Sequence, residues 1–588
     1  MLSAGRNADG SAVAGRGAVH GGRFIGLVTW ATRLAGVLAV LAVVLPPERR
    51  RLRPSLAHWL GLPYQATIAA LVITAVAGAG LLCLATGLRR RKRRAWQLAV
   101  AGAVAIAVLQ LVFRHAHPLA LTATGLAVLL VSYRNEFTAL PDPAAGRWRA
   151  LRVFLQFGLT GVVINVLVLT AAGHHLTGHP SLRDRLEHAA LALVGVSGPV
   201  GFRTPTLDDL TAGLGLAFGL TAVLLSGYFL LRCAEPRPAT TQREQELLRG
   251  LLDRHGHRDS LAYFALRPDK SVVFSPTGKA AVGYRVLAGV ALSSGDPLGD
   301  PEAWPGAISA FLATCARYGW VPAVLGCSAQ GATAWCRHRL HALELGDEAV
   351  LDAGTFTLDG RAMRGVRQMA ARAHRAGHRV RVHRTLEPDL RRHLSVLAAR
   401  WRGSQPERGF SMALGRIAGA GDPGCVVVTA ERDGQLRGLL QFVPWGRDGL
   451  SLDVMRRERD STGTGLNELM ITELLAACPA LGVRRVSLNF AVFRAALHRG
   501  EQLGAGPIAR LWARALRLGS RWWQVESLYR FNDKFRPQWT PRFIVFPAGR
   551  DLPRIALAAL EAEGFGGRPP ALMHTLRPTP PRSPAPTP

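Results

Sequence analysis

The sequence predicts a multi-pass α-helical membrane domain followed by a soluble α/β region built from two similar halves. Three observations lead to this prediction. Long apolar segments fill the chain up to about Cys233, the composition changes sharply after that residue, and strand, turn and helix patterns then recur in the same order. At 588 residues the chain is long enough for several domains.

The composition combines an apolar part with a strongly basic part. A positive mean hydropathy of 0.14 accompanies a formal net charge of +32. Such an excess of positive charge indicates a polyanionic partner, either nucleic acid or an anionic membrane surface. The 7 cysteines are scattered without a CxxC pair, so neither a zinc site nor a disulfide framework is predicted, and we expect no metal and no cofactor.

The transmembrane domain is expected over residues 24–233, after a disordered basic N-terminus of residues 1–23. A hydrocarbon core of roughly 30 Å needs about 20 apolar residues per helix, which predicts about six spans. The candidate spans are Phe24–Leu45, Gln65–Leu88, Ala95–Phe113, Pro118–Ser132, Val153–Ala172 and Leu210–Leu231. The basic run at residues 89–94 is expected on the cytoplasmic side, which also places the soluble region in the cytoplasm of a bacterial cell.

The soluble region is expected to contain a first half at residues 234–360 and a second half at residues 385–550. Each half shows two strands, a further strand ending in a turn or loop, a helix and a last strand. The first half turns at Gly295-Asp296-Pro297, and Asp433-Gly434 marks a hairpin turn in the second. This repetition predicts duplicated acyltransferase-like sheets. Residues 551–588 are expected to form a terminal helix and a disordered Pro-rich tail.

A basic helix is predicted between the halves, at residues 361–384. Its arginines share one helical face, while methionine and valine side chains are available for the other. The arginines are Arg361, Arg364, Arg367, Arg372 and Arg375. Exposed basic helices are often simply solvated. Here no acidic residue is interleaved, so a phosphate backbone or anionic lipid headgroups would relieve the repulsion.

The segment Leu450–Leu475 reads as a strand, a loop with Gly463 and Gly465, and a helix. A helix N-terminus after such a loop can present backbone N–H groups to an anion. Asp453 and Arg456 lie at the end of the strand. They are either part of a site or a strand-end ion pair.

A second candidate motif combines cations with aromatic rings. Lys534 and Arg536 are flanked by Phe531, Phe535 and Trp539. Aromatic rings can stack on bases while cations hold phosphates, so the motif is typical of a site for a nucleotide end. The alternative interpretation of this motif is a packed domain edge with charges on its surface.

Together these motifs resemble a known family. Gly295-Asp296-Pro297, the segment Leu452–Arg457, the strand Ser487–Ala491 and the segment Tyr529–Trp539 are similar to the C-terminal synthase domain of aminoacyl-phosphatidylglycerol synthases. These proteins are also called lysylphosphatidylglycerol synthetases or multiple peptide resistance factors. The resemblance covers roughly residues 242–547, and we expect no fused lysyl-tRNA synthetase.

The resemblance implies a tandem acetyltransferase-like (GNAT-like) fold with a basic helix between the halves. It implies an aminoacyl-tRNA donor, lysyl-tRNA being favoured, and phosphatidylglycerol in the lipid bilayer as acceptor. The product would be a cationic lipid that protects against cationic antimicrobial peptides. The transferred amino acid and the oligomeric state stay open, as does whether the membrane domain flips the product.

The same resemblance assigns site residues. Asp453, Arg456, Lys534 and Arg536 become the catalytic set, with the basic helix as the tRNA-binding element. The substrate-binding set is Gly463, Gly465, Glu468, Asn489, Tyr529 and Trp539. Asp453 would hold the donor's ammonium group or deprotonate the lipid hydroxyl. Glu468 would recognise a cationic side chain, or would only stabilise the dipole of its helix.

Two alternatives remain at this point. A membrane-tethered acyl-CoA-dependent N-acyltransferase would use residues 457–465 to bind a pyrophosphate. Duplicated sheets fit it equally well, but a small cofactor needs neither the basic helix nor the aromatic motif. A non-catalytic membrane sensor or transporter partner would retain the fold without the chemistry.

Overall fold

A computed structural model describes most of the chain. The described residues are 25–39, 41, 64–89, 91–114, 117–137, 139, 145–196, 198–231, 240–403, 409–419, 421–458, 465–492 and 525–564. The chain divides into two compact units, residues 1–234 with 316–320 and residues 235–315 with 321–588. Gly463, the N-terminal segment 1–23 and most of the Pro-rich tail lie outside the described residues.

The first unit is helical and apolar. Its helices are α1 (Ile25–Ala39), α2 (Tyr64–Arg89), α3 (Arg93–Leu109), α4 (His117–Ser132), α5 (Ala145–Ala171), α6 (Leu182–Ala192) and α7 (Pro205–Leu231), with a π-helical turn at Gln110–Arg114 and the short strands β1 (Leu176–Thr177) and β2 (Gly201–Phe202). Three described segments are long and apolar enough to cross a membrane: Arg93–Val112, Ala150–Ala171 and Thr206–Gly227. The shorter apolar helices are Ile25–Ala39, Val76–Arg89 and Pro118–Ser132. The helical, apolar character of this region is therefore confirmed, and the number of spans stays a prediction.

Small side chains and polar contacts hold neighbouring helices of this unit together. Ala95, Ala99 and Ala103 form a fully buried stripe on α3. The indole Nε1 of Trp96 donates to the carbonyl oxygen of Leu130 at 2.7 Å, which joins α3 to α4. Small residues and interhelical hydrogen bonds are the usual means of helix association where no water is displaced.

The second unit is an α/β structure. Its helices are α8 (Gln242–His255), α9 (Trp304–Tyr318), α10 (Ala329–Cys336), α11 (Arg364–Arg375), α12 (Pro388–Arg402), α13 (Leu466–Leu481), α14 (Val525–Asp533) and α15 (Leu552–Ala562). Its strands are β3 (Ser271–Phe274), β4 (Ala280–Leu287), β5 (Val290–Ser294), β6 (Leu298–Gly299), β7 (Val321–Cys327), β8 (His341–Asp352), β9 (Arg379–His383), β10 (Val426–Arg432), β11 (Gln435–Pro444), β12 (Gly449–Arg457), β13 (Arg485–Val492) and β14 (Gln538–Phe546).

All of these strands belong to one continuous sheet, in which the predicted order of strands, turn and helix occurs twice. Its order is β3-β4-β5-β7-β14-β8-β13-β12-β11-β10-β9, with β6 beside β4. In each half an antiparallel hairpin is followed by a strand, a helix and a further strand that pairs in parallel with the strand before the helix. The parallel pairs are β5 with β7 in the first half and β12 with β13 in the second. The predicted hairpin turn has positive φ at both Asp433 and Gly434, as the tight turn requires.

The second half has a distinct core on each face of the sheet. On one face, Leu440, Phe442 and Leu452 pack beneath α13, whose apolar residues complete that core. On the opposite face, Leu439 and Val427 pack beneath α12. Because side chains alternate along a strand, this division assigns each residue near the end of β12 to one face or the other.

A buried polar cluster lies where the two halves meet. The Arg542 guanidinium on β14 binds Asp259 at 2.7 Å and Glu348 at 2.5 Å, and all three side chains are buried. Ser260 and Ser487 both donate to Glu348. Arg542 thus joins strand β14 to strand β8 and to the segment after α8, and Glu348 extends the cluster to strand β13. The cluster therefore helps to fix the two halves in one sheet.

The predicted Gly295-Asp296-Pro297 turn belongs to the same buried region. The backbone N–H of Asp296 donates to Asp259 at 2.8 Å, and its carboxyl group accepts from the backbone and hydroxyl of Ser328. Burial, and then the neighbouring Asp259 carboxylate, raise the pKa of Asp296 to about 7. The turn therefore anchors the start of α10 to the junction between the halves.

Candidate functional site

Strands β12 and β13 separate in the middle of the second half, and the candidate site lies at that opening. They pair in parallel only from Gly449 to Ser451. Beyond this point Asn489, with a φ of 68°, donates its side-chain amide to the carbonyl oxygen of Leu452. Its own Oδ1 is buried and has no partner among the described residues. An unpaired buried acceptor and a left-handed residue at one place are typical of a functional site.

Asp453 occupies a β-bulge beside this opening. Gln441 of β11 lies opposite Val454 and Phe442 lies opposite Leu452, so Asp453 is the extra residue. Bulges of this kind redirect a side chain and are frequent next to active sites. The bulge turns the Asp453 carboxylate toward Gln441 and away from the core beneath α13.

The Asp453 carboxylate is held by two donors. Its Oδ1 accepts from the backbone N–H of Leu414 at 2.7 Å, and its Oδ2 accepts from the side-chain amide of Gln441. Burial raises the pKa of Asp453 to about 6, although both hydrogen bonds and the charges of Arg267 and Arg416 oppose that rise. A carboxyl group poised near neutral pH suits general base catalysis.

Arg456 shares the face of Asp453. Met455 packs into the core beneath α13, so alternation puts Arg456 on the opposite face together with its register partner Leu439. Arg456 is half-buried there. The structure thus brings these two predicted residues to the same face of β12.

Lys534 and Glu468 form an ion pair on the α13 side of the sheet. Lys534 Nζ lies 2.9 Å from Glu468 Oε1 and 5.3 Å from the centre of the Phe531 ring. Glu468 is buried, in the first turn of α13, and Lys534 is half-exposed. The predicted catalytic set is therefore divided, because Lys534 pairs with Glu468 and not with Asp453.

The aromatic residues of the predicted motif pack on each other and on the core. Phe535 is buried, and Phe531 and Trp539 cover the core beneath α13. Tyr529 lies against Trp539 with ring centres 5.2 Å apart. Arg536 is exposed at the turn before β14, with a φ of 52°. The rings therefore build this edge of the domain, and Arg536 is presented to solvent beside it.

The predicted basic helix 361–384 is shorter than expected, because α11 spans Arg364–Arg375 and residues Arg379–His383 form strand β9. Helix α11 lies against the start of α13. A Cβ atom on Gly465 would lie 2.1 Å from the carbonyl oxygen of Met369 in α11, and Gly465 has a φ of 101°. Met363, Val366, Ala370 and Ala373 are buried. The five predicted arginines are all exposed. Arg367 also donates to the carbonyl oxygens of Leu358 and Gly360.

We expect Gly465→Ala to displace α11 from α13. The added methyl group would overlap a backbone oxygen, which cannot rotate away, and alanine at this φ is strained in addition. Together these effects should destabilise the unit by about 2 kcal/mol. Thermal unfolding of the purified chain measures the destabilisation. Gly434→Ala also has a positive φ but open space around it, so it isolates the strain from the overlap.

Sequence reasoning missed a loop that covers this face of the sheet. Its described residues are 409–419, 421 and 422, together called loop 409–422. They are held by hydrogen bonds to Asp453 and Glu563, and by Arg267, which donates to the carbonyl oxygens of Gly409 and Ala413. Lys270 is buried beneath Phe410 and donates to Ser294 at 2.6 Å. The one signal for this region was Gln441, a polar residue within an otherwise apolar buried strand.

Within the described part of the chain, no group of three or more His, Cys, Asp or Glu side chains is placed to hold a metal ion. The candidate site consists instead of the Asp453 carboxylate in its bulge, the half-buried Arg456, and the Asn489 amide oxygen, which has no partner in the described part of the chain, beside the opening between β12 and β13.

The repeated order of elements and the opening between parallel strands give the second unit the tandem acetyltransferase-like fold that the motifs predicted. More specifically, the chain belongs to the family "Phosphatidylglycerol lysyltransferase, C-terminal", which it matches over residues 249–546. It is 41% identical over 502 residues to the lysylphosphatidylglycerol biosynthesis bifunctional protein LysX of Mycobacterium avium strain 104. That alignment covers 82% of this chain and 42% of the relative.

The chain is also similar to a second LysX protein and to a solved structure. The LysX protein of Mycobacterium tuberculosis strain F11 is 42% identical over 502 residues, covering 82% of this chain and 42% of that protein. The structure of L-PGS from Bacillus licheniformis is 18% identical and covers 57% of this chain and 99% of that chain, with a TM-score of 0.46. The chain thus spans less than half the length of these two LysX relatives.

Proposed function

We propose that this protein is a membrane-bound aminoacyltransferase that moves an aminoacyl group from aminoacyl-tRNA to a glycerol hydroxyl of phosphatidylglycerol. The family match supports the acceptor and a lysyl group. One observation carries the chemistry: Asp453 is a half-buried carboxyl group, with a pKa that desolvation raises to about 6, at the point where two parallel strands open. The apolar helices of the first unit support association with the membrane that contains the acceptor.

The reaction exchanges one ester for another. The oxygen of the lipid hydroxyl attacks the carbonyl carbon that joins the amino acid to the terminal ribose, and the bond from that carbon to the ribose oxygen breaks. Asp453 takes the proton of the lipid hydroxyl, and the same proton then passes to the leaving ribose oxygen. No change of oxidation state and no nucleotide hydrolysis is required.

The remaining polar groups suit binding and charge stabilisation. Arg456, on the same face as Asp453, offers a guanidinium that can hold the lipid phosphate with two hydrogen bonds. Asn489 Oδ1, which has no partner among the described residues, can accept a hydrogen bond from the donor's ammonium group. Lys534, whose charge Glu468 balances, lies beside the aromatic edge, where Arg536 meets the phosphates of the tRNA end. Holding both substrates in place supplies much of the acceleration.

The contact between α11 and α13 favours a large anionic donor over a coenzyme. A carbonyl oxygen lies against Gly465, at the helix N-terminus where the acyl-CoA alternative would seat a pyrophosphate. The exposed arginines of α11 extend from that contact along one face of the helix. An RNA backbone matches such an array, because each bound phosphate releases condensed counterions.

Transfer is tested with membranes from cells that produce the full chain. We expect lysyl-tRNA to yield an amino-group-positive lipid in the organic extract, and acyl-CoA to yield no acylated product. Turnover of the coenzyme A thioester without use of charged tRNA would refute the proposal. Offering alanyl-tRNA in parallel identifies the amino acid that the site accepts.

We expect the triple change of Arg364, Arg372 and Arg375 to glutamine to weaken tRNA binding. The slope of log K against log salt should flatten by about one for each phosphate that the variant no longer binds. Arg367 is left in place because it also supports the preceding turn. Filter binding at several salt concentrations measures the slope.

The matched control removes the same charge elsewhere in the unit. Arg337, Arg339 and Arg550 are exposed, and their change to glutamine should weaken binding much less and leave the slope near its original value. Equal slopes for the two triple variants would exclude α11 as the tRNA-binding element.

A further inference from the structure

Gln441 is a fully buried polar residue in the middle of an apolar strand. Its exposed fraction is 0%, and β11 is otherwise apolar from Leu439 to Val443. Its side chain forms three hydrogen bonds. Nε2 donates to Asp453 Oδ2 and, at 2.9 Å, to the carbonyl oxygen of Arg416, while Oε1 accepts from the backbone N–H of Ala418 at 2.8 Å. Every polar bond of this side chain goes either to the candidate base or to the loop that covers it.

The covering loop is the segment 409–422. Asp453 accepts from the N–H of Leu414, and Gln441 binds the backbone of Arg416 and Ala418. These three loop residues alternate, so one edge of the loop backbone pairs with two sheet side chains much as it would pair with a strand. The two side chains are also joined to each other. Neither can move without breaking hydrogen bonds to the loop.

The far side of the loop is anchored independently. Glu563, just beyond α15, accepts from the backbone N–H groups of Phe410 and Ser411 at 2.8 and 3.0 Å. Arg416 pairs with Asp422 within the loop itself. Removal of the Gln441 hydrogen bonds would therefore free the backbone of Arg416 and Ala418 while leaving the loop's start attached.

We propose that Gln441 is a positioning residue, which locks the orientation of the Asp453 carboxylate and the closure of loop 409–422 into one coupled arrangement. The inference rests on the proposed function where it concerns Asp453 as the base. The coupling between loop and carboxylate is a property of the fold and stands on the hydrogen bonds alone.

Glutamine is the side chain that this position requires. It supplies an acceptor for Ala418 and two donors, one for Asp453 and one for Arg416, with no charge of its own. Leucine would leave a buried N–H and a buried C=O unpaired. Glutamate would place a second carboxyl group against Asp453.

The charges around Asp453 define what removal of the amide would do. Arg267 comes from the segment before β3 and Arg416 from the loop, where Asp422 neutralises it in part. The thiol of Cys425 and the phenol of Tyr263 also face this region, and burial raises the pKa of both. Neither is ionised near neutral pH. The Gln441 amide is thus a neutral donor that favours the ionised form of Asp453, so its removal raises the pKa of Asp453.

The test uses the full chain in lipid nanodiscs and two substitutions, Gln441→Leu and Gln441→Glu. Hydrogen exchange of the peptides covering residues 409–422 reports the loop without any need for activity. The dependence of transfer on pH reports the carboxylate. For Gln441→Leu we expect loop exchange at least about tenfold faster. We also expect the pH of half-maximal rate to rise by about one unit from its value near 6, which lowers the rate at pH 6 by about fivefold.

Thr429→Val is the matched control. Thr429 is buried on the neighbouring strand β10, and its hydroxyl binds His383 at 2.9 Å, so this change removes a buried hydrogen bond without touching Asp453. Thr429→Val should leave hydrogen exchange of the loop and the pH of half-maximal transfer rate unchanged. If Gln441→Leu fails to fold, Gln441→Glu keeps the acceptor and the side-chain volume, and should shift both readouts in the same direction.

Two results would overturn the proposal. One is loop exchange in the folded Gln441 variants equal to that of the unchanged protein. The other is a transfer rate that falls by the same factor at every pH, because poorer packing alone would produce that result. If the unchanged protein transfers nothing from charged tRNA, the proposed function fails, and loop exchange alone then decides whether Gln441 couples the two elements.

Discussion

Asp453→Asn is expected to lower the rate of aminoacyl transfer by about 10²- to 10⁴-fold, the range that a positioned general base contributes. Asparagine cannot accept the proton of the lipid hydroxyl. It also fits its surroundings poorly, since Leu414 and Gln441 both present donors to this position and asparagine offers a single acceptor. The measurement is the initial rate at which labelled amino acid enters the lipid extract from charged tRNA.

A second readout is the pH dependence of the transfer rate in the unchanged protein and in Asp453→Asn. In the unchanged protein kcat/KM should rise as the pH rises through about 6, because the carboxyl group must lose its proton to act as a base. The effect on stability has the opposite sense. A folded-state pKa raised above the ordinary value of 3.8 gives a stabilisation that is present below 3.8 and lost as the pH rises through about 6. Asp453→Asn should therefore gain stability relative to the unchanged protein over that interval.

Asp448→Asn is the control for charge and location. Asp448 immediately precedes β12, is half-exposed, and lies 3.4 Å from Arg485. Its replacement removes the same charge beside the same strand without touching the bulge, and should leave the rate within about twofold of the original, as expected for an exposed ion pair. An Asp453→Asn variant that transfers at the original rate would exclude Asp453 as the base.

Arg542→Leu is expected to cost about 3–5 kcal/mol of unfolding free energy in the α/β unit, the typical result of breaking a buried ion pair by removing one partner. Arg542 binds Asp259 and Glu348, and it also donates to Ser260. Leucine would leave two carboxylates buried without their cation. Because the cluster joins both halves, the destabilisation should appear as a lower denaturation midpoint of the whole sheet.

Two comparisons sharpen this expectation. Arg285→Leu breaks a partly exposed pair with Asp269 and should cost about 1 kcal/mol or less. Adding Asp259→Asn and Glu348→Gln to Arg542→Leu removes the unpaired charges and should restore part of the stability. A cost for Arg542→Leu as small as that for Arg285→Leu would contradict the role of this cluster at the junction.

The amino-acid sequence was sufficient for the parts of the fold that depend on local patterns. Apolar runs predicted the helices of the first unit, and two strand-like segments around the Asp433-Gly434 signal predicted a hairpin of the second. The spacing of Met363 and Val366 predicted the buried face of α11. Each of these signals lies within a few turns of helix or one hairpin, so it can be recognised without knowledge of distant contacts.

The candidate site was predicted only in part. Asp453 was identified, but its position in a bulge depends on register with β11, which no local pattern encodes. Lys534 was placed in the catalytic set, and it pairs with Glu468, which lies 66 residues away in sequence. Loop 409–422 went unnoticed because its contacts come from Asp453, Gln441, Arg267 and Glu563, which approach it from four separate segments.

The sequence by itself determined the membrane-like composition of the first unit, the duplicated α/β pattern of the second, the basic face of α11 and the family motifs. The tertiary structure alone decided which of those motifs meet. Side-chain alternation and one extra residue in β12 send Asp453 to one face of the sheet, while Lys534 stays on the other side with Glu468. The physical reason is that strand register and ion pairing are set by residues far apart in the chain, whereas helical and strand periodicity is set by near neighbours.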